Sequence, residues 1–309
     1  MASTDLDVLQ LVTTPRSFFD QQVRVLEERG VRSTVVEVPR SEAGRRPSDF
    51  GRFYARVLRE TAPPSGYDLV HANYGLIGPF ALAQPTRPVV LTVWGSEVMG
   101  YSRRLDLITQ RAAEHSDAVI APSKAVSREL DAPHTVIPFG VDTGLFRPMD
   151  RSEARERLGW DADARIVLFP YDPVREVKNH RLAKQVVERA SVDAELRTVS
   201  GLDYSEMPYV MNASDALLVT SDRESGPMVI KEAAACDLPV VSTDVGFARE
   251  ILEGLHRCTV GDTETELVAG LERALDSDER SNGREVTDDL DLDRMGDRLL
   301  TVYTTVLDL

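Results

Sequence analysis

The chain has 309 residues, 42% of them hydrophobic, which is material for two domains of ordinary size. Lys and Arg number 36 against 51 Asp and Glu, a net charge of −15, which argues against nucleic-acid binding as the main role and against a charge-driven membrane anchor. Only four of the basic residues are lysines, Lys124, Lys178, Lys184 and Lys231; this halophilic-type acidic surface suits a salt-rich cytoplasm, where self-repulsion is screened, with an ordinary acidic cytosolic protein as the plainer alternative.

Short apolar and β-branched runs alternate with helical patterns along the chain, the order expected of βαβ units and parallel sheets. The first residues have neither the basic segment nor the apolar core of a secretory signal, and no apolar run approaches the ~20 residues of a membrane helix, so a cytoplasmic protein is expected. Residues 8–12 read as a strand, 18–29 as a helix ended by Gly30, and 33–38 as the next strand. Strands at 68–72, 88–93, 118–121 and 135–138 complete one Rossmann-like half. Residues 139–148, FGVDTGLFRP, have the glycines and prolines of a linker. A second half runs from a strand at 166–170 through strands near 196–199, 217–220 and 239–242. The last helical pattern carries an apolar stripe of Leu299, Leu300, Tyr303, Val306 and Leu307, after an acidic patch at 288–293 that reads as a solvated helix start. The two cysteines, Cys236 and Cys258, have neither C-x-x-C spacing nor a histidine cluster nearby, so no zinc site or disulfide framework is indicated.

The chemistry concentrates after the strand at 217–220. Glu224 and Glu232 stand eight positions apart across the start of a helix, with Ser225 between Glu224 and that start, and with Gly226 and Pro227 expected to open it. The free N–H groups near Met228, at the positive end of the helix dipole, suit phosphate or sugar oxygens. Carboxylates accept hydroxyl hydrogen bonds strongly, so Glu224 is a candidate for sugar hydroxyls and Glu232 for those of a ribose. The plainer alternative is an amphipathic helix whose two acids face water. In the strand-end loop at 171–180, YDPVREVKNH, Arg175 and Lys178 are candidates to neutralise a leaving diphosphate, because ligands of open α/β sheets bind outside the carboxyl ends of the strands. Here the alternative is a solvated basic pair.

The run from 224 to 250 resembles the Glu-x7-Glu signature of the retaining glycosyltransferases of family 4, through Glu224, Gly226, Glu232, Ala233, Ala235, Cys236, Pro239, Val240, Val241, Gly246 and Glu250. Residues 139–148 resemble the family's interdomain run. The resemblance covers most of the chain and is strongest from Pro138 onward. It implies an α/β GT-B fold, two Rossmann-like domains with parallel sheets facing across a cleft. The expected domains are 1–140, on the acceptor side, with a final helix from about 291 packing back onto it, and 141–290, which binds the nucleotide sugar. It also implies sugar transfer from a nucleotide-sugar donor to an acceptor hydroxyl, with no metal or other cofactor. Retention in this family is thought to let the acceptor attack on the leaving group's own face, the departing phosphate receiving the proton. An acceptor that is a glycan, a lipid-linked species or a small molecule, and work at the inner face of a membrane, stay open.

Two departures from the family pattern matter. Its usual arginine six residues before the lysine is Asp172 here, with Arg175 as a substitute, as in relatives reading D-P-x-R-x-x-K. LTVWGSEV at 91–98 resembles the T-x-H-G-x-D turn, but the histidine is Trp94 and the acid Glu97, which the resemblance implies lines the acceptor-side cleft. An indole cannot titrate as an imidazole does, so Trp94, beside Gly95, is expected to shape the acceptor-side cleft by stacking on a sugar, or else to be a core or rim aromatic. Arg16, after the first strand, is a lesser acceptor-side candidate that could reach a phosphate or an acidic acceptor, with surface placement as its alternative, and His71 reads as structural.

Other classes are disfavoured. Asp161-Ala162-Asp163 is a D-x-D sequence, but its place between a helix and a strand reads as turn chemistry. No G-x-G-x-x-G follows the first strand, and neither a P-loop nor a G-x-S-x-G elbow occurs. A GT-B isomerase or phosphorylase acting on a related sugar phosphate, and a non-catalytic nucleotide-sugar-binding subunit, are the rival readings.

Overall fold

The computed structural model describes residues 5–40 and 44–309. They form two compact units, one of the residues through Gly140 together with Leu292–Leu309 and the other Val141–Asp291.

The first unit has six strands, β1 Leu6–Val12, β2 Val31–Glu37, β3 Leu69–Asn73, β4 Val89–Thr92, β5 Ala118–Ala121 and β6 Thr135–Val136, in the order β2-β1-β3-β4-β5-β6. All neighbours are parallel. Its helices are α1 Ser17–Glu27, α2 Pro47–Glu60, α3 Gly78–Leu82, α4 Arg103–His115, α5 Lys124–Ser127 and, from the chain's far end, α13 Leu292–Val306. β1, β3 and β4 are almost wholly buried, and parallel strands covered on both faces read as continuous apolar runs rather than alternating ones. The register sets Val12 of β1 level with Asn73 of β3. The chain leaves β1 to β2 on one side and reaches β3 on the other, so the order reverses there and a crevice opens beyond the carboxyl ends of β1 and β3.

The second unit has β7 Ile166–Phe169, β8 Glu195–Thr198, β9 Ala216–Val219, β10 Val240–Thr243 and β11 Thr259–Gly261, in the order β11-β10-β9-β7-β8 and parallel throughout. Its helices are α6 Arg151–Leu158, α7 His180–Arg189, α8 Met207–Ala213, α9 Met228–Ala235, α10 Ala248–Leu252, α11 Glu264–Ala274 and α12 Arg284–Thr287. Here the order reverses between β7 and β9. The short strand β11 has no counterpart in the sequence reading.

The stretch read as a linker is largely part of the two cores. Phe139 packs on Phe18 with ring centroids 4.4 Å apart in the first unit, while Val141 and Phe146 are fully buried in the second. The acidic start of α13 is an anchor as well as a solvated end: Asp293 and Asp297 both pair with Arg29, which follows α1. Among the described residues no helix is long and apolar enough to cross a membrane. Both cysteines are free thiols.

α13 is also held by a buried polar ladder. Gln22 donates to Asn73, Asn73 to Gln10, and Gln10 Nε2 to the Tyr303 hydroxyl at 3.2 Å. That hydroxyl lies 2.6 Å from His71 Nδ1, and His71 Nε2 lies 2.7 Å from the Thr92 hydroxyl. The ladder is satisfied when the phenol donates to Nδ1 and Nε2–H donates to Thr92. Burial pushes the His71 pKa down to about 3, so this histidine is a neutral structural group.

Candidate donor site

The strongest cluster lies at the order reversal of the second unit, in the loops that leave β7 and β9. These loops are bonded to each other. The Thr220 hydroxyl donates to the carbonyls of Lys178 and Asn179, Asn179 Nδ2 to Asp222 at 2.8 Å, and Asp222 N to the Val177 carbonyl at 2.9 Å. Asn179 tolerates the left-handed backbone, φ 51°, that lets it close the turn Glu176–Lys178 and cap α7 by accepting from Leu182 N.

The result is a lysine turned inward. Lys178 is 4% exposed, and its ammonium donates to Glu224 while sitting 3.9 Å from the centroid of the Tyr171 ring. Glu224 also accepts from the Ser221 hydroxyl at 3.0 Å. Burial lowers the Lys178 pKa, the Glu224 carboxylate opposes that, and the Arg175 charge adds to the lowering. Arg175 itself is exposed. The Tyr171 hydroxyl is buried without a hydrogen-bond partner, and burial, then Glu224 and Glu232, push its pKa well up.

Glu232 is 4% exposed and accepts from the Tyr204 hydroxyl at 2.9 Å. Burial pushes its pKa up to about 7, against the Tyr204 hydrogen bond. α9 begins at Met228 with Pro227 as its cap residue, one position later than the sequence suggested, because Pro227 has an extended ψ of 105°. Ahead of it Ser225 and Gly226 press on the loop after β10. A Cβ on Gly226 would overlap the Phe247 ring, and one on Gly246, which has φ 56°, would lie 2.8 Å from Gly226 backbone atoms. Glycine is therefore required at both positions by close approach. Lys231, in the same helix, is fully buried over the Phe247 ring at 4.5 Å, and burial pushes its pKa down to about 7.

The structure thus brings Glu224, Lys178, Ser225, Gly226, Pro227, Met228 and Glu232 to one end of one sheet, with Arg175 exposed at its margin. Tyr171, Tyr204 and Ser221 were missed by sequence reasoning. Tyr204 lies 28 positions before Glu232, in the 3-10 turn Tyr204–Glu206 that leads into α8, and no spacing rule links the two.

The first-unit candidates gather around the carboxyl ends of β1, β3 and β4. Trp94 is half-buried, 4.8 Å from Phe18 and 5.7 Å from Tyr74 between ring centroids. Tyr74 follows β3 with φ 114°, a region that side-chain-bearing residues rarely enter. Glu97 corrects the expectation of an acid lining a cleft: it is wholly buried, its Oε1 accepting from Gly75 N at 3.0 Å and Trp94 N at 2.8 Å, with Oε2 unpartnered. Burial pushes its pKa up to about 7 despite those amides. It holds the turn containing Gly95, which has φ 104°. Arg16 is exposed at the start of α1, where its carbonyl accepts from Phe19 and Asp20. Asp161 accepts from Asp163 N in an exposed turn, as turn chemistry requires. Among the described residues no group of three His, Cys, Asp or Glu is placed to hold a metal ion.

Comparison with known proteins agrees with this picture. The family model described as Glycosyl transferases group 1 matches residues 176–285, and the one described as Glycosyltransferase Family 4 matches residues 5–145. The D-inositol 3-phosphate glycosyltransferase of Thermobispora bispora is 26% identical, over 76% of this chain and 69% of its own length. The protein of that name from Mycobacterium bovis is 24% identical over 65% of this chain, and the match spans only 52% of that relative. Solved structures share the fold. Sucrose-phosphate synthase from Thermosynechococcus elongatus superposes with a TM-score of 0.80 at 17% identity, over 98% of this chain and 99% of that one. Anabaena HepE in complex with UDP gives 0.77 at 16%, over 97% and 100%. The two parallel-sheet units are those of the GT-B fold, and with both family models matched the chain belongs to the group 1, family 4 glycosyltransferases.

Proposed function

We propose that the protein is a retaining hexosyltransferase-like enzyme that moves a sugar from a nucleotide-sugar donor to an acceptor hydroxyl. The observation that carries this is the Lys178–Glu224 pair at the β7/β9 order reversal, beside the amino end of α9. An ammonium and a carboxylate in contact there answer the two ends of a glycosyl diphosphate. In this reading Lys178, assisted by Arg175, takes the diphosphate charge that grows as the glycosidic bond breaks. Glu224 orients donor hydroxyls, the backbone amides around Ser225, Gly226, Pro227 and Met228 receive sugar or phosphate oxygens, and Glu232 with Tyr204 meets the ribose. The leaving phosphate takes the acceptor's proton, so neither a protein nucleophile nor a metal is assigned. Trp94 and Gly95, with Arg16, are assigned to the acceptor, Glu97 supporting their turn from beneath. The proposed setting is the cytoplasm, with an acceptor at the inner membrane face as one case.

HepE, which shares the fold, was solved with UDP and with UDP-glucose, which makes uridine the first base to try. The test is thermal unfolding in molar potassium chloride with uridine, guanosine and adenosine diphosphates and their sugars, since a ligand that binds only the folded state raises Tm by mass action. Wild type is expected to respond to one base, and Lys178→Ala to lose that response together with at least ~100-fold in turnover. A flat panel would overturn the reading. The Trp94 and Asp172 departures favour one rival, a non-catalytic binder, and turnover by the purified chain alone excludes it. A requirement for inorganic phosphate would point to a phosphorylase instead.

A further inference from the structure

Tyr171 follows β7 and lies against the Lys178–Glu224 pair, yet its hydroxyl has no partner although it is buried. Leaving a buried phenol unpaired is costly, so an orphan at this place calls for a state in which it is paired. Its surroundings say which group is the partner. The ring face holds the Lys178 ammonium at 3.9 Å. The Ser221 hydroxyl lies near the phenol but makes no hydrogen bond of good geometry with it; its proton goes to Glu224 Oε1 at 3.0 Å, the same oxygen that takes Lys178. The carboxylates acting on the phenol are those of Glu224, first, and Glu232, and the latter is already served by Tyr204.

We propose that Tyr171 is a positioning residue that releases Lys178 to the donor: as the diphosphate draws the ammonium off Glu224, the Tyr171 hydroxyl donates to the carboxylate so vacated. The lysine is then held ready by the ring beneath it in the free protein. When the ammonium departs, Glu224 keeps the Ser221 hydroxyl and gains the phenol in place of the lysine, so the largely buried carboxylate is not left with a single donor, which would oppose donor binding. The inference rests on the donor-site reading above.

The experiment uses the full chain, with UDP as the probe and GDP and ADP beside it, measured by calorimetry and thermal unfolding. Tyr171→Phe keeps the ring and removes only the hydroxyl. Without ligand this variant is expected to melt at the wild-type temperature or higher, because an unsatisfied buried group is gone. Its Kd for the diphosphate that binds wild type is expected to rise about tenfold or more, as for a hydrogen bond to a charged group. In a Glu224→Gln background the same change should add no further loss, since the two residues act through one contact. A Tyr171→Phe affinity within twofold of wild type, or losses that add in the double variant, overturns the inference and leaves the donor reading standing. If wild type binds none of the three diphosphates, the donor reading fails, and the inference with it.

Discussion

A carboxyl buried under a turn is worth following through pH. Glu97 holds the amides of Gly75 and Trp94, and its folded pKa is raised to about 7 from an ordinary 4.5. A raised folded pKa gives stability that is complete below the unfolded value and is lost as pH climbs through about 7. Glu97→Gln keeps a carbonyl acceptor for both amides but cannot ionise. Measured as Tm from pH 4.5 to 8, the variant should gain on wild type as pH rises, by about 2–4 °C for each kcal/mol; parallel curves would show that Glu97 does not titrate there. Tyr74 supplies a second case. Its φ of 114° disfavours any side chain, so Tyr74→Gly should be the more stable of two truncations, ahead of Tyr74→Ala by about 1 kcal/mol in urea unfolding, the reverse of the usual order. Equal stabilities would mean that the loop relaxes.

At the level of elements, the joint between α13 and its sheet is polar where one expects grease. Phe in place of Tyr303 would leave His71 Nδ1 and Gln10 Nε2 without their shared hydroxyl in a fully buried site. Tyr303→Phe should cost about 1–3 kcal/mol. Because Arg29 still pairs with Asp293 and Asp297, the helix is expected to stay docked, so the loss should appear as a lower midpoint at unchanged m-value. A changed m-value would say that α13 comes away. The donor cluster uses a different device, backbone against backbone. Gly226 and Gly246 permit the loops after β9 and β10 to touch, and that contact presents the amino end of α9.

For the whole molecule the governing quantity is charge. A net charge of −15 repels itself in the compact state, and added salt shortens the range of that repulsion to about 3 Å at 1 M. Tm is expected to climb steeply with sodium chloride up to about 0.5 M and then flatten. A Tm independent of salt would remove the reading of an acidic surface adapted to a saline interior.

The strand alternation and the Glu224 to Glu250 run were legible in the sequence because both are local. Strands such as Ala118–Ala121 and Ile166–Phe169 show their period or their apolar content within a few residues, and the glycines of the donor loops mark places where no side chain fits. What tertiary structure alone decided are meetings between distant segments. Lys178 and Glu224 are 46 positions apart, Tyr204 and Glu232 are 28, and His71 and Tyr303 are 232. Likewise Glu97 looked like a ligand-facing acid until the turn around it placed it underneath. The physical reason is the same in each case. Periodicity and turn chemistry act between chain neighbours, whereas burial, and with it every shifted pKa and every orphaned hydroxyl, depends on which remote side chain fills the space beside a group.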